Sequence, residues 1–165
     1  MATALSSMLS IEARTRYDVG DPHGGGVNGD LQNASGGTRW RDGTASGEAD
    51  RGHLASATLG ASATDSYNVL AAGAIVDIYG QTIDLDELKG FVLKCITGSI
   101  TFEAPASNGL GLFKASSDGL TLAAGQTLGV DFGPAGLDVT TDSKFDIRDS
   151  GGAGATYKIW FVGAT

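Results

Sequence analysis

Few side chains in this sequence of 165 residues stand at spacings that support catalysis. The two histidines, His23 and His53, lie in glycine-rich segments, and neither has an acidic residue or cysteine at the spacing of a metal site or catalytic triad. The acidic run of Asp84, Asp86 and Glu87 offers the carboxylates of a glycosidase, but no acid/base partner is recognisable elsewhere. The common nucleotide-binding and hydrolase motifs are missing. We therefore expect a protein that is not an enzyme, with no catalytic residue and no cofactor.

Oxygen ligands for a cation are grouped in one glycine-rich part of the sequence. Segment 25–31 has Asn-Gly-Asp where the calcium-binding glycine nonapeptide has Gly-Asn-Asp, and it occurs once, whereas that motif works as stacked copies. Asp18, Asp21 and Asp30 miss the spacing of a twelve-residue calcium loop. A flexible turn is the favoured interpretation, and no metal site is predicted.

The charge, the cysteine content and the lack of long apolar stretches limit which partners and which compartment are expected. The net charge of −8 argues against binding to nucleic acid or to an anionic membrane, because both require a cationic surface. The single cysteine, Cys95, lies in an apolar run and is expected to be a buried thiol. No signal peptide and no apolar stretch of about 18 residues is recognisable, so we expect folding in a cytoplasm.

Tryptophan and arginine give the strongest indication of binding to another protein. Trp40 stands between Arg39 and Arg41, a combination that is enriched at protein interfaces. The alternative is that Trp40 enters the core while the two arginines stay in water, and the sequence leaves both open. Trp160 alternates with the apolar residues of the last strand, so its face needs a cover, either a second sheet or another subunit.

Apolar and polar residues alternate with the period of β-strands along most of the chain. Residues 9–19 alternate strictly, which predicts a strand of about 35 Å. Residues 20–52 form a glycine-rich arm with a possible short strand at 38–41. Further strands recur every ~8 to 12 residues, a spacing typical of an antiparallel β-sandwich or barrel. They are predicted at 54–59, 65–70, 75–79, 91–96, 99–103, 111–114, 119–122, 126–132, 143–148 and 157–162.

Two domains of unequal character follow from these patterns. Residues 1–53 form an N-terminal strand and glycine-rich arm, and residues 54–165 form the β-sandwich. Segments 58–64 and 121–127 share a strand end, a small-residue turn and a strand start, which suggests two similar hairpins. Residues 85–89 have the composition of a single helical turn. The last two strands are joined by a glycine-rich turn.

Several segments occur in an order that resembles small structural proteins encoded among the head genes of tailed bacteriophages. They are Trp-Arg-Asp at 40–42, Thr-Leu-Gly-Ala-Ser-Ala-Thr at 58–64, Tyr-Gly-Gln-Thr-Ile at 79–83 with Lys-Gly-Phe-Val at 89–92, Lys-Phe-Asp-Ile-Arg-Asp-Ser-Gly at 144–151, and Thr-Tyr-Lys-Ile-Trp-Phe-Val-Gly-Ala at 156–164. The similarity covers about 128 residues, from 38 onward. The sequence departs from the family at Asp149, where asparagine is usual, and at 160–161, where smaller aliphatic residues are usual.

The resemblance implies a jelly-roll-like antiparallel β-sandwich that decorates and cements a phage capsid, most often as a homotrimer. The implied partners are the major capsid protein and further copies of the chain. The implied location is the virion surface, after assembly in the host cytoplasm. We expect the arm to cross between capsid subunits while the sandwich forms the trimer. The residues expected at the capsid or subunit interface are Leu9, Ile11, Tyr17, Arg39, Trp40, Arg41 and Trp160.

Three other functions remain open at this stage. One is a tail- or fibre-associated β-module of the virion. Another is a carbohydrate-binding head projection, which Tyr67, Tyr79 and Trp160 would favour if they were exposed together on a concave face, because aromatic rings stack on sugars. A hydrolase acting on a cell-surface polymer is the least favoured, because no general acid/base pair is recognisable.

Overall fold

Two antiparallel sheets that pack against each other make up most of the structure. The computed structural model describes residues 7–11, 36–40, 43–73, 75–77, 80–116 and 118–165. The strands within these ranges are β1 (Ser7–Ile11), β2 (Gly36–Trp40), β3 (Arg51–Leu59), β4 (Thr64–Asn68), β5 (Glu87–Thr97), β6 (Ser99–Glu103), β7 (Gly119–Ala123), β8 (Thr127–Asp131), β9 (Leu137–Asp138), β10 (Lys144–Asp149) and β11 (Ala155–Ala164). A short 3-10 helix spans Ala71–Gly73.

The strand order of the two sheets is that of a jelly roll. One sheet has four strands in the order β4-β10-β6-β7, and the other has β3-β11-β5-β8, with the short β9 also paired to β5. The strands β1 and β2 form a separate two-stranded ribbon. Two four-stranded layers with this order are typical of the double Greek-key jelly roll. The prediction of an all-β, jelly-roll-like antiparallel sandwich is confirmed.

Four short connections cross from one sheet to the other at the same end of the sandwich. They link β3 to β4, β5 to β6, β7 to β8, and β10 to β11. The prediction of two hairpins at 58–64 and 121–127 is therefore wrong, because each segment joins strands of different sheets. Both turns contain a residue with positive φ, Ser62 (59°) and Gly125 (85°), which reverses the chain. The local turn sequence does not encode which sheet the next strand joins.

Other differences from the sequence prediction concern single segments. Residues 85–89 are not a helical turn, because Glu87 begins β5 and Leu88 belongs to the core. Strands were predicted at 75–79 and 111–114, but none covers the described residues 75–77 or segment 111–114. A single β-bridge joins Val76 to Thr82. The strand predicted at 9–19 is described only to Ile11, and its remainder lies outside the described residues.

An aromatic cluster fills the space between the sheets. Phe91 of the five-stranded sheet stacks on Phe102 of the four-stranded sheet, with ring centroids 4.9 Å apart. Phe145 makes edge contacts with Phe91 at 5.7 Å and with Phe161 at 6.4 Å. Cys95 is buried in the same core, as predicted, and burial raises the pKa of its thiol. Burial of this apolar surface is the main force that holds the two sheets together.

A chain of hydrogen bonds also joins the two sheets. The fully buried Tyr157 of β11 donates its hydroxyl proton to Asp65 Oδ2 of β4 at 2.7 Å. Because that proton is used, the hydroxyl of Tyr67, 2.8 Å away, is the donor to Tyr157. Burial raises the pKa of both phenols, so both remain protonated donors at neutral pH.

Asp149 ties together two of the four crossing loops. Its carboxylate accepts hydrogen bonds from the backbone N–H of Ser62 at 2.9 Å, and of Gly151 and Gly154 at 3.1 Å each. These donors, Ser62 foremost, lower the pKa of Asp149. Asparagine at this position would carry no charge and could not accept hydrogen bonds on both side-chain atoms.

Removal of the Tyr157 hydroxyl should destabilise the sandwich more than removal of the Tyr67 hydroxyl. Tyr157→Phe leaves Asp65 and Tyr67 without their shared partner and should lower the free energy of unfolding by about 1–3 kcal/mol. Tyr67→Phe keeps the bond between Tyr157 and Asp65 and should cost less. Urea denaturation measures both variants. A cost of Tyr67→Phe equal to or above that of Tyr157→Phe would contradict this arrangement.

The contribution of Asp149 should depend on pH. A carboxyl whose pKa is lowered by folding stabilises the folded state above its unfolded pKa of about 3.9, and this stabilisation disappears as the pH falls through the lowered folded pKa. Asp149→Asn should therefore lower the Tm at pH 7, and its difference from the wild type should shrink below about pH 4. Thermal denaturation across this range provides the test. A difference that is the same at every pH would contradict the role of the charge.

Candidate functional site

The outer faces of the two sheets differ in their chemistry. On the four-stranded sheet, Arg148 forms a two-pronged ion pair with Glu103 at 2.9 and 3.1 Å, and the hydroxyls of Thr101 and Thr121 lie 3.0 Å apart. This face satisfies its own polar groups. The outer face of the five-stranded sheet carries apolar side chains. Trp160 lies on this face, which the sequence pattern predicted to need a cover.

Three apolar side chains from three adjacent strands form a row across this outer face. Trp160 of β11 is paired in register with Leu54 of β3 and with Val92 of β5. Leu54 is 63% exposed, while Trp160 and Val92 are half-buried. We call these three residues the apolar row. Contiguous apolar surface of this kind, rimmed by polar residues, is typical of a protein interaction site.

Trp40, the last residue of β2, covers the surface beside the apolar row. Its side chain is fully buried and packs with Val162 and Ala49, and Trp160 packs against this cluster. A Cβ atom at Gly90 would lie 2.8 Å from Trp40 Cη2, so the indole fits only because residue 90 is glycine. The indole Nε1 is buried without an acceptor in the described part of the chain, so packing alone holds the ring.

The structure places the side chain of Trp40 in a third kind of position, neither between the sheets nor exposed. The side chain is buried within its own chain, although it packs on the outer face of a sheet and not between the sheets. Trp160, which needed a cover, receives part of it from Trp40 and keeps part of its surface accessible.

The loop that follows Trp40 is fastened to the sandwich at several points. Gly47 donates its N–H to the carbonyl of Pro134 at 2.9 Å. The carboxylate of Asp50 accepts from the backbone N–H of Thr165 at 3.0 Å and from its hydroxyl at 2.9 Å. The last residues of the chain thus hold this loop, and with it Trp40, against the five-stranded sheet.

A buried lysine fixes the neighbouring loop. Lys89 is fully buried, and its ammonium group donates to the carbonyls of Pro134 at 3.0 Å and Ala135 at 2.9 Å and pairs with the carboxylate of Glu87. A buried ammonium needs such partners, because an unpaired buried charge is strongly destabilising. Through Pro134 and Gly47, Lys89 supports the loop that carries Trp40 to its position.

The predicted interface residues fall into three groups. Trp40 and Trp160 are brought together in one cluster. Leu9 and Ile11 lie on β1, opposite residues 38 and 36, and Arg39 lies on β2 opposite residue 8. The other two members of the predicted set, Tyr17 and Arg41, lie outside the described residues.

Sequence reasoning missed several members of this surface. Leu54 and Val92 lie within predicted strands. The alternation of side chains along each strand would have placed them on the face that points away from the core. Gly90 and Lys89 carry no such signal. A lysine in an apolar run is normally taken as exposed, and a glycine near the start of a strand does not indicate that an indole packs on it.

The aromatic residues considered for sugar binding do not form one surface. Tyr67 faces the core and stacks on Phe145 with ring centroids 4.9 Å apart, whereas Trp160 lies on the outer face of the other sheet. Tyr79 lies outside the described residues. An open groove of about 480 Å³ is present at one end of the four-stranded sheet. It is lined by Ser66, Tyr67, Asn68, Gly73, Pro105, Ser107, Lys144 and Asp146.

The titratable groups considered for chemistry have structural contacts. In the acidic run, Asp84 accepts from the N–H of residue 71 at 2.9 Å, and Glu87 pairs with the buried lysine. His53 Nδ1 lies 2.8 Å from the carbonyl of Val76, and the ring packs on Phe161. Within the described ranges, no group of three or more His, Cys, Asp or Glu residues is arranged to hold a metal ion.

None of the helical structure in the described ranges is long and apolar enough to cross a membrane.

A side chain at position 90 should dislodge Trp40. Gly90→Ala places a methyl group against the indole and should lower the free energy of unfolding by about 1–3 kcal/mol. Because Trp40 and Trp160 are the two tryptophans of the chain, their fluorescence should shift to the red. Gly60→Ala is the matched control, since its Cβ meets nothing within 4 Å. Unchanged emission and stability in Gly90→Ala would show that the indole is not seated on this residue.

Comparison with known proteins gives matches to solved structures only at low identity and low TM-score. No family model and no curated protein sequence matches the chain. Two structures of Drosophila melanogaster CENP-C domains, one of them a cupin domain, align at 9% identity with TM-scores of 0.36 and 0.37, over 64% and 73% of this chain and 55% and 65% of theirs. A cupin domain from Bordetella pertussis Tohama I aligns at 10% identity and a TM-score of 0.37, over 70% of this chain and 84% of its own.

Proposed function

We propose that this chain is a structural virion protein that decorates and stabilises the capsid of a tailed bacteriophage. The observation that carries the proposal is the outer face of the five-stranded sheet, where the apolar row stays accessible beside a tryptophan that is locked in place. A rigid surface with a partly exposed tryptophan suits protein binding, because aromatic residues dominate the energetics of protein interfaces.

The strand topology is compatible with this role. Jelly rolls of eight strands serve as capsid domains, lectins and cupins, so the fold alone does not select among these functions. The sequence segments shared with small phage head proteins favour the first. The supports named above fix the outer face by packing, hydrogen bonds and an ion pair. A disulfide within the chain is excluded, since the chain has a single cysteine. Such a domain can be added to a shell as a preformed unit.

Stabilisation of a capsid requires only selective binding to the assembled shell. A protein that binds the assembled lattice and not the free subunit shifts the equilibrium toward the shell by mass action. We propose that the sandwich forms a homotrimer on the capsid surface and that the arm, residues 1–53, crosses between neighbouring capsid subunits. The ribbon of β1 and β2 is part of the arm, and β2 ends at Trp40, whose buried indole packs the arm onto the outer face of the five-stranded sheet.

A carbohydrate-binding head projection is the second candidate. The observation in its favour is the polar groove at the end of the four-stranded sheet, which presents serine, asparagine, lysine and aspartate. The groove lacks a freely exposed aromatic ring among the described residues, since Tyr67 packs on Phe145. Sugar sites usually combine a stacking ring with polar groups, so this candidate has weaker support.

Deletion of residues 1–37 should weaken binding to heads without unfolding the sandwich. The truncated chain retains Trp40 and therefore the cover of the outer face. In co-sedimentation with undecorated heads of the same virion, the full chain should pellet with saturable stoichiometry. The dissociation constant of the truncated chain should be at least about tenfold higher, which corresponds to the loss of about 1.4 kcal/mol of binding free energy.

Circular dichroism and thermal denaturation serve as controls for the fold of the truncated chain. Decoration by the truncated protein as tight as by the full chain would contradict the role of the arm. Failure of the full chain to pellet with heads would contradict the proposed function itself. Binding to a glycan array in that case would support the carbohydrate-binding candidate.

A further inference from the structure

The outer face of the five-stranded sheet carries a pair of lysines next to the apolar row. Lys158 of β11 and Lys94 of β5 are directly opposite each other in register, and both are exposed. Like charges directly opposite each other on adjacent strands are destabilising. Neither lysine has an ion-pair partner in the described part of the chain. We call these two residues the lysine pair.

Carboxylates gather at the opposite end of the same sheet. Glu87, the first residue of β5, pairs in register with Asp138 of β9, and the carbonyl of Asp86 accepts from the N–H of Val139 at 2.9 Å. The side chains of Asp86 and Asp138 are exposed, and the N–H and hydroxyl of Thr140 lower the pKa of Asp138. We call Asp86 and Asp138 the acidic end.

The lysine pair and the acidic end cannot neutralise each other within one molecule. Lys94 follows Glu87 by seven residues along β5, which is about 23 Å of extended strand. The Debye length at physiological salt is about 8 Å, so their attraction across one sheet is screened. Copies of the chain arranged head to tail around a three-fold axis would place the lysine pair of each copy next to the acidic end of its neighbour.

We propose that the outer face of the five-stranded sheet binds a second copy of this chain, with the apolar row buried and the lysine pair of one copy facing the acidic end of the other. Two independent observations support this partner. First, Leu54 in the apolar row is 63% exposed. Second, the acidic end of the same sheet carries the negative charges that could pair with the lysine pair. Charge pairing also fixes the orientation of the copies, because the lysine pair and the acidic end attract each other only when they face one another.

This inference deepens the proposed homotrimer and rests on the proposed function for that assembly, but its test needs no phage heads. Sedimentation equilibrium of the purified full chain should give a mass above that of the monomer. Leu54→Ser should raise the dissociation constant of self-association by about tenfold or more, because it places a hydroxyl in an apolar contact. Leu120→Ser is the matched control. Leu120 is also an exposed leucine on a strand, 46% accessible, but it lies on the other sheet.

Charge reversal tests the orientation. The double variant Lys94→Glu with Lys158→Glu should dissociate into monomers, and so should the double variant Asp86→Lys with Asp138→Lys. The quadruple variant that combines these changes restores opposite charges across the interface and should recover most of the self-association. Lys114→Glu is the control for a change of net charge, because Lys114 is exposed in the loop between β6 and β7. Self-association of the wild type should also weaken as salt is raised.

A wild type that is monomeric at about 100 µM would overturn the inference, because only weak association escapes detection at that concentration. Equal effects of Leu54→Ser and Leu120→Ser on the dissociation constant of self-association would also overturn it. A quadruple variant that stays monomeric, while both double variants fold normally, would overturn the assigned orientation. Failure of the proposed function gives a different result. In that case the wild type self-associates through this face but does not pellet with heads.

Discussion

The packing of Trp40 on Gly90 is the contact on which the outer face of the five-stranded sheet depends. Without it, the surfaces of Val162 and Trp160 would face water across the middle of the longest strands. The fully buried indole removes much of that surface, and the hydrophobic effect favours this position without any hydrogen bond to the ring nitrogen. The other supports act on the same contact. Lys89 and the chain terminus hold the two loops that keep the indole in place.

The two outer faces and the two ends of the sandwich differ in their contacts, and these differences follow from its topology. Four short connections close one end, and the carboxylate of Asp149 joins two of them. The outer face of the four-stranded sheet pairs its own charges. The outer face of the five-stranded sheet instead carries the apolar row and the lysine pair. This asymmetry is the physical basis for assigning protein binding to that face, and an acidic chain gains an oriented contact from it.

Much of the fold could be predicted from the sequence, because alternation reports burial directly. The prediction of 99–103 reproduces β6, and the other confirmed strands differ by a few residues at their ends. The sheet order could not be predicted, since turns such as 60–63 and 124–126 look like hairpin turns whether or not the chain changes sheet. The candidate site was predicted in part. Trp40 and Trp160 were identified by residue type, whereas the roles of Gly90 and Lys89 depend on contacts with residues more than 40 positions away.

The central claim is that this jelly roll binds an assembled capsid while copies meet through the outer face of the five-stranded sheet. A cryo-electron microscopy map of undecorated heads incubated with the purified full chain tests it most directly. The account predicts added density above the capsid lattice, in which copies surround local three-fold positions and the surfaces of Leu54 and Trp160 lie between copies. Heads without added density, or bound copies whose outer faces point to solvent, would contradict it.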